Sequence, residues 1–316
     1  MKVLYAGSPE AAALTLKILL EKQKDYGFEI AAVLTNPPAA RGRHKELIPT
    51  EVEVLARENN LPVFTPEHLD AACREMILPL GCELLVSFAY GHIFGPKFLS
   101  MFSMGGINLH PSLLPKYRGC TPVPAAILNR DSKTAITVQT LALKLDEGNI
   151  LAQRIVELNG TETSASLLEY AAQEGAFLIA SLLKEVSKNG KLPEGKLQEG
   201  EASYTGIITK ADGKIEWEKS ASEIEAMLRA YTPEPECWTM DGNESLKILE
   251  AKVFEDDDFS KDAQPGTVIR FSKPDGIFIK CGKGQLCVTC LQKQGKKAMT
   301  YKDFMNGSRD FIGKVL

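Results

Sequence analysis

With 316 residues, 44% of them apolar and 25% charged, the chain has the make-up of a soluble globular protein of about two domains. A net charge of −4 gives no global basic footprint, so any nucleic-acid partner has to be met by a local patch. No apolar run approaches the ~20 residues that span a bilayer, which argues against a membrane partner. Seven scattered cysteines and no signal peptide point to a reducing, cytoplasmic setting with free thiols.

Residues 2–6, Lys-Val-Leu-Tyr-Ala, predict a short buried strand, and a helix follows over 9–24 with Ser8 as its cap and Pro9 in its first position. The turn between them lacks Gly-x-Gly-x-x-Gly spacing and lends no support to a dinucleotide cradle. A second strand is expected over 28–35. Residues 36–49 then form a long loop, prolyl at both ends and basic in the middle, which reads either as solvated surface or as an arm for a polyanion. A helix over 50–59, capped by Thr50 with Glu53 as capping-box partner, and another over 66–76 alternate with strands over 61–64, 83–88 and 105–110. This alternation implies an α/β fold with a Rossmann-like, doubly wound and mostly parallel sheet.

After a helix over 121–128, strands over 134–141 and 153–158 flank a turn that carries Asp146 and Glu147, and hairpin logic makes them antiparallel. A long amphipathic helix is expected from Thr163 or Ser164 to about Lys188. Polar, glycine-spaced sequence over 188–201 marks the domain boundary. The domains are placed at 1–189 and 208–316, with 190–207 as a linker. The second holds one helix, 220–230, and short β segments at 246–254, 266–271, 276–281 and 285–291, a pattern that suggests a small OB-like β-barrel. Its acidic run, 255–258, reads as a solvated loop. From Gln264 to Leu316, ten Lys and Arg stand against three Asp and Glu, a local balance of +7 that can neutralise phosphates.

Chemistry concentrates in residues 106–119. If Ile107 and Leu109 face the core, period-two alternation sends Asn108 and His110 together to the other face of a strand end. Pro111 and Pro115 stiffen the loop that follows. Open α/β sheets place their ligands at such strand ends. Asn108 can donate to an oxygen that gains charge, and His110 can take and return protons near neutral pH. Asp146, if its turn converges on the strand end, can orient the imidazole. No Ser or Cys occupies a nucleophile elbow, so the set suits direct attack of an amine or water on an acyl carbon. One His with one Asp makes a poor metal site. Cys287 and Cys290 have a zinc-like spacer, but they fall in a strand-like run where positions three apart face opposite ways, and no second pair or nearby His completes a site.

Residues 108–119, Asn-Leu-His-Pro-Ser-Leu-Leu-Pro-Lys-Tyr-Arg-Gly, followed by Leu145-Asp146-Glu147-Gly148, resemble the signature of the folate-dependent formyltransferase family. Ala6-Gly7-Ser8-Pro9-Glu10 and Phe88-Ala89-Tyr90-Gly91 fit it too. The second domain, with Gly295-Lys296-Lys297-Ala298-Met299, extends the resemblance end to end, to the members that act on charged initiator tRNA. The resemblance implies transfer of a formyl group from the co-substrate 10-formyltetrahydrofolate to the α-amine of methionyl initiator tRNA. Independently of it, the residues lead us to expect no metal and a cytoplasmic setting, and a monomer is expected. The resemblance implies catalysis by Asn108, His110 and Asp146. It implies a folate site lined by Ser112, Leu113, Leu114 and Pro115, with the backbone around Phe88, Ala89, Tyr90 and Gly91 reading the pterin. It implies tRNA contacts from Arg41, Arg43 and Lys45 of the basic arm and from the second domain around Lys296 and Lys297. Relatives acting on glycinamide ribonucleotide or on an amino sugar, or hydrolysing the donor, would share the core motif. The first should lack the C-terminal barrel. A catalytically inert RNA-binding module would not need the intact trio.

Overall fold

Four consecutive apolar residues make Lys2–Ala6 (β1) a strand covered on both faces: Val3, Leu4, Tyr5 and Ala6 are all fully buried. The computed structural model describes residues 1–41, 46–258 and 260–316, with backbone only at Arg41 and Arg309. In it β1 is an inner strand of a seven-stranded sheet. The other strands are β2 Glu29–Leu34, β3 Val63–Phe64, β4 Leu84–Ser87, β5 Gly106–His110, β6 Lys133–Thr140 and β7 Ile150–Glu157. Their spatial order is β7–β6–β5–β4–β1–β2–β3. The strands from β5 to β3 run parallel, β6 is antiparallel to β5, and β7 is antiparallel to β6. The chain runs outward from β1 through β2 to β3, then returns to β4 on the other side, so the order reverses between β1 and β4. Alternation along β1 serves two cores. Val3 and Tyr5 join Leu16, Leu19, Ile107, Leu109 and Ile179. Leu4 and Ala6 join Leu34, Leu85, Phe98 and Phe102 on the other face.

Several helices begin away from their expected starts, for local reasons. In α1, Glu10–Tyr26, Pro9 is the cap residue and makes no side-chain bond. The Ser8 hydroxyl is drawn off to the Thr35 hydroxyl and the Asn36 N–H. Thr50 caps α2, Glu51–Glu58, as expected, but the Glu53 carboxylate turns to Arg57 and closes no capping box. Asp70 accepts from the Cys73 N–H and starts α3, Ala71–Ile77, well after the expected position 66. Further on come α4, Pro122–Leu128, and the long α5, Ser164–Asn189. The loop after β2 is not featureless: Ala39–Arg41 pairs antiparallel with Glu46–Ile48. Arg43 and Lys45, between those strands, lie outside the described residues.

Two compact units emerge, residues 1–122, 133–157 and 167–206 in the first, and 123–132, 158–166 and 207–316 in the second. Most of the segment expected as a linker is built into the first unit. Lys196 pairs with Ile150, and Tyr204–Thr205 lies parallel to Arg118–Gly119.

The second unit carries β8 Cys237–Asp241, β9 Glu244–Phe254, β10 Val268–Ser272, β11 Gly276–Lys280, β12 Gln285–Lys293 and β13 Met299–Thr300. They form an antiparallel sheet in the order β8–β9–β12–β11–β10, with β13 on β12. Helices α6, Ala221–Ala230, and α7, Tyr301–Asn306, complete it, and α6 opens with a Ser220–Glu223 capping box. The acidic run is not simply solvated. Asp256 accepts from Lys280 Nζ at 2.5 Å, from the Ser260 hydroxyl at 3.0 Å and from the Gly284 N–H at 3.1 Å. The Lys280 side chain, only 11% exposed, needs such a partner. On β12, Cys287 is fully buried and Cys290 half-buried.

Candidate active site

Strand β5 sorts its side chains as the alternation requires. Ile107 and Leu109 enter the core, Asn108 is half-buried, and His110 is 4% exposed. The register with β6 sets Gln139 opposite Asn108 and Thr137 opposite His110. Opposed residues of an antiparallel pair share a face, so Gln139 joins the polar pair.

Beyond β6 the chain turns back through residues 141–149 and brings Asp146 to the strand end. Asp146 holds a φ of +54°, a conformation costly for a residue with a Cβ. Two residues on, Gly148 runs against Thr140 so closely that a Cβ would sit 1.7 Å from the Thr140 carbonyl oxygen. The carboxylate is held on two sides: Oδ2 accepts from the Gly119 N–H and Oδ1 from Gln139 Nε2, both at 2.8 Å. Oδ1 also lies 3.6 Å from His110 Nδ1, an ion-pair distance longer than a hydrogen bond.

The Tyr117 carbonyl is 2.9 Å from His110 Nε2. A carbonyl only accepts, so the neutral ring carries its proton on Nε2 and turns the Nδ1 lone pair toward Asp146. Burial pushes the His110 pKa below its ordinary value, while Asp146 and the Tyr117 carbonyl pull it back up. At neutral pH the imidazole is therefore a free base, and a proton arriving on Nδ1 meets the carboxylate. The Asn108 amide has no partner among the described residues and is free to donate.

The prolyl loop is braced from below. The Ser112 hydroxyl donates to the Lys116 carbonyl, and the Ser112 carbonyl accepts from the Thr137 hydroxyl, both at 2.7 Å. Ser112, Leu114 and Pro115 are buried and Leu113 half-buried, so Leu113 is the one side chain of the four with surface to offer a ligand. At the end of β4, Phe88 and Tyr90 are buried, and Ala89 and Gly91 are exposed. Lys296 and Lys297 are exposed in the turn between β12 and β13.

Residues that sequence reasoning left without a role complete the site. Arg118 donates from Nη1 to Glu147 Oε1 at 3.0 Å and to the Tyr204 hydroxyl at 2.8 Å. Its Nε and Nη2 both donate to Gln198 Oε1, at 3.1 and 2.8 Å. Gln139 had a readable signal, a polar residue on the same face as Asn108 in a neighbouring strand. Gln198, 52 residues beyond Asp146, had none.

Residues 1–182 match the family model described as formyl transferase, and residues 207–309 match the one described as formyl transferase, C-terminal domain. The chain belongs to the formyl transferase family. A methionyl-tRNA formyltransferase from Treponema denticola is 43% identical over 323 aligned positions that cover 99% of this chain and 98% of that protein. One from Pseudoalteromonas translucida is 34% identical, covering 99% and 95%. An N-formyltransferase from Helicobacter canadensis, solved with folinic acid and dTDP-3-aminofucose, shares the fold at a TM-score of 0.64 and 20% identity, over 93% of this chain and 99% of that one. The chain is thus a transferase of formyl groups, and the polar cluster at the end of β5 is its candidate catalytic centre. Among the described residues no helix is long and apolar enough to cross a membrane, and no group of three or more His, Cys, Asp or Glu could hold a metal ion.

Proposed function

We propose that the chain transfers the formyl group of 10-formyltetrahydrofolate to the α-amine of methionyl initiator tRNA, acting as a cytoplasmic monomer without a metal. One observation carries the chemistry: a buried imidazole faces a carboxylate across 3.6 Å, beside an amide with no partner among the described residues. The near end-to-end likeness to methionyl-tRNA formyltransferases supports the acceptor.

In this reading Asn108 Nδ2 donates to the formyl oxygen as the amine adds to the formyl carbon and negative charge develops there. His110 Nδ1 takes the proton that the amine loses, and Asp146 and the Tyr117 carbonyl stabilise the resulting imidazolium. Breakage of the bond between the formyl carbon and N10 of the folate then returns the carbonyl, and His110 gives its proton to the departing nitrogen. Leu113 of the prolyl loop and the backbone around the exposed residues Ala89 and Gly91 would receive the folate. Arg41, Arg43 and Lys45, with Lys296 and Lys297, would meet tRNA phosphates.

The deciding assay offers 10-formyltetrahydrofolate with charged initiator tRNA, glycinamide ribonucleotide or an amino sugar. Formylated methionyl-tRNA and stoichiometric tetrahydrofolate are expected from the first acceptor. Turnover with a small amine alone, or donor hydrolysis without an acceptor, would overturn the assignment.

A further inference from the structure

We infer that Gln198 is a positioning residue of the formyl-transfer site: its carboxamide holds the Asp146 turn, and the Gln139 amide that faces it, in register with His110. The inference rests on the catalytic reading of Asn108, His110 and Asp146, and it gives a task to a segment that the sequence presents as a linker.

Three acceptors converge on Gln198 Nε2. They are the Asp146 carbonyl at 2.8 Å, the Gly148 carbonyl at 2.9 Å and Gln139 Oε1 at 3.2 Å. The first two tie both ends of a three-residue turn to one nitrogen. That turn contains a non-glycine residue at φ +54°, a geometry that persists only where its surroundings over-determine it.

The third bond acts on an orientation. An amide whose oxygen is engaged by a donor presents its NH2 on the other side. Gln139 therefore aims Nε2 at Asp146 Oδ1, at 2.8 Å. Without Gln198, the Gln139 oxygen loses its donor, and the amide is held on the carboxylate side alone.

Gln198 is itself oriented. Arg118 donates twice to its Oε1, which locks the oxygen on one side and leaves the NH2 for the turn. Arg118 is anchored in turn by Glu147 and Tyr204. The backbone near Gln198 is pinned on either side by the Lys196–Ile150 and Tyr204–Arg118 pairings. The relay runs from Arg118 through Gln198 and Gln139 to Asp146. Asp146 is the charged group that faces the His110 ring, and Tyr117 offers that ring only a carbonyl.

Two variants of the full chain test this. Gln198→Met removes the amide at nearly constant length. Gln198→Glu keeps an oxygen for Arg118 and removes the donor. Both are expected to lower kcat about tenfold to hundredfold, with KM for the formyl donor and for methionyl-tRNA within about threefold of the parent. In Gln198→Met without substrates, the NMR titration of the His110 ring is expected to move to lower pH, because the carboxylate is no longer held against Nδ1. Parental kcat in both variants overturns the inference. So does a fall in kcat with an unmoved His110 titration, which would mean that Gln198 does not act through Asp146. Loss of the cooperative thermal transition in both variants overturns it too, by making the amide a folding contact. A parent inactive on methionyl-tRNA instead overturns the acceptor assignment, and the His110 titration then still decides the role of Gln198.

Discussion

At the scale of single residues, the behaviour of the site follows from one buried ring. Burial holds the His110 pKa below its ordinary value of 6.5. The folded state therefore resists a proton that the unfolded chain accepts, so the stability tied to this group is complete above pH 6.5 and is lost as the pH falls toward the folded value. Activity has the same sense, because only the neutral ring can take the amine proton. The kcat profile, with acceptor bound, is expected to show an acidic limb from His110 centred below pH 6.5. Asp146→Asn removes the larger of the two influences that raise this pKa. It should move the limb to still lower pH and cut kcat by about 10²- to 10⁴-fold. A pH–rate series on parent and variant checks both, and an unmoved limb with full turnover would refute the role of Asp146. Asn108→Ala, which deletes a donor without a partner among the described residues, should cost about 10²- to 10³-fold in kcat with little change in folate binding, measured by single-turnover kinetics and donor titration. Asn108 and His110 were legible because period-two alternation is a local property. The convergence of Asp146 depends on how a turn folds back, and no spacing rule states that. Gln198 depends on a contact made across 52 residues, which leaves no trace in pattern or composition.

At the scale of elements, hydrogen bonding decided the boundaries and packing decided the turns. The parallel strands β1, β2 and β4 were legible as apolar runs, β5 as an alternating one, and α2 as a capped amphipathic stretch. Strand β8 was missed because the prolyl stretch 232–235 precedes it and masks its alternation. The segment 190–207 reads as a linker for a physical reason: its polar, glycine-spaced sequence bonds mainly to other polar groups of the first unit and buries little apolar surface. Gly148 makes the packing point testable. A methyl group there would collide with the Thr140 backbone, so Gly148→Ala must shift either the turn or β6. The turn is the softer of the two. The expected outcome is a loss of about 1–3 kcal/mol in denaturant unfolding. A fall in kcat larger than that loss explains should accompany it, because the displaced turn carries Asp146. Equal kcat at reduced stability would show that β6 yields instead.

At the scale of the whole molecule, composition announced two domains and an uneven charge, and both bear on the acceptor. The interleaving of 123–132 and 158–166 with the second unit was not legible, since it reflects packing and not sequence character. The charge pattern was, because ten basic residues stand against three acids in the last 53; Arg270, Lys280 and Lys314 find carboxylates outside that stretch, at Asp257, Asp256 and Asp241. Lys296 and Lys297 sit exposed in the turn between β12 and β13, and neither ammonium meets a carboxylate among the described residues. A pair of that kind contributes to tRNA binding mainly by releasing counterions, a term that depends on salt and not on base sequence. Replacing both by Ala is expected to raise KM for methionyl-tRNA at low salt and to leave KM for the formyl donor at the parental value. Each phosphate left without its lysine should flatten the plot of log affinity against log salt by about 0.7–0.9, so the double variant should have a slope shallower by roughly 1.4–1.8 if both lysines engage. The gap between parent and variant should therefore narrow as salt rises and close where the two lines meet. Parallel lines would instead assign the basic tail to solubility and leave the tRNA to other surfaces.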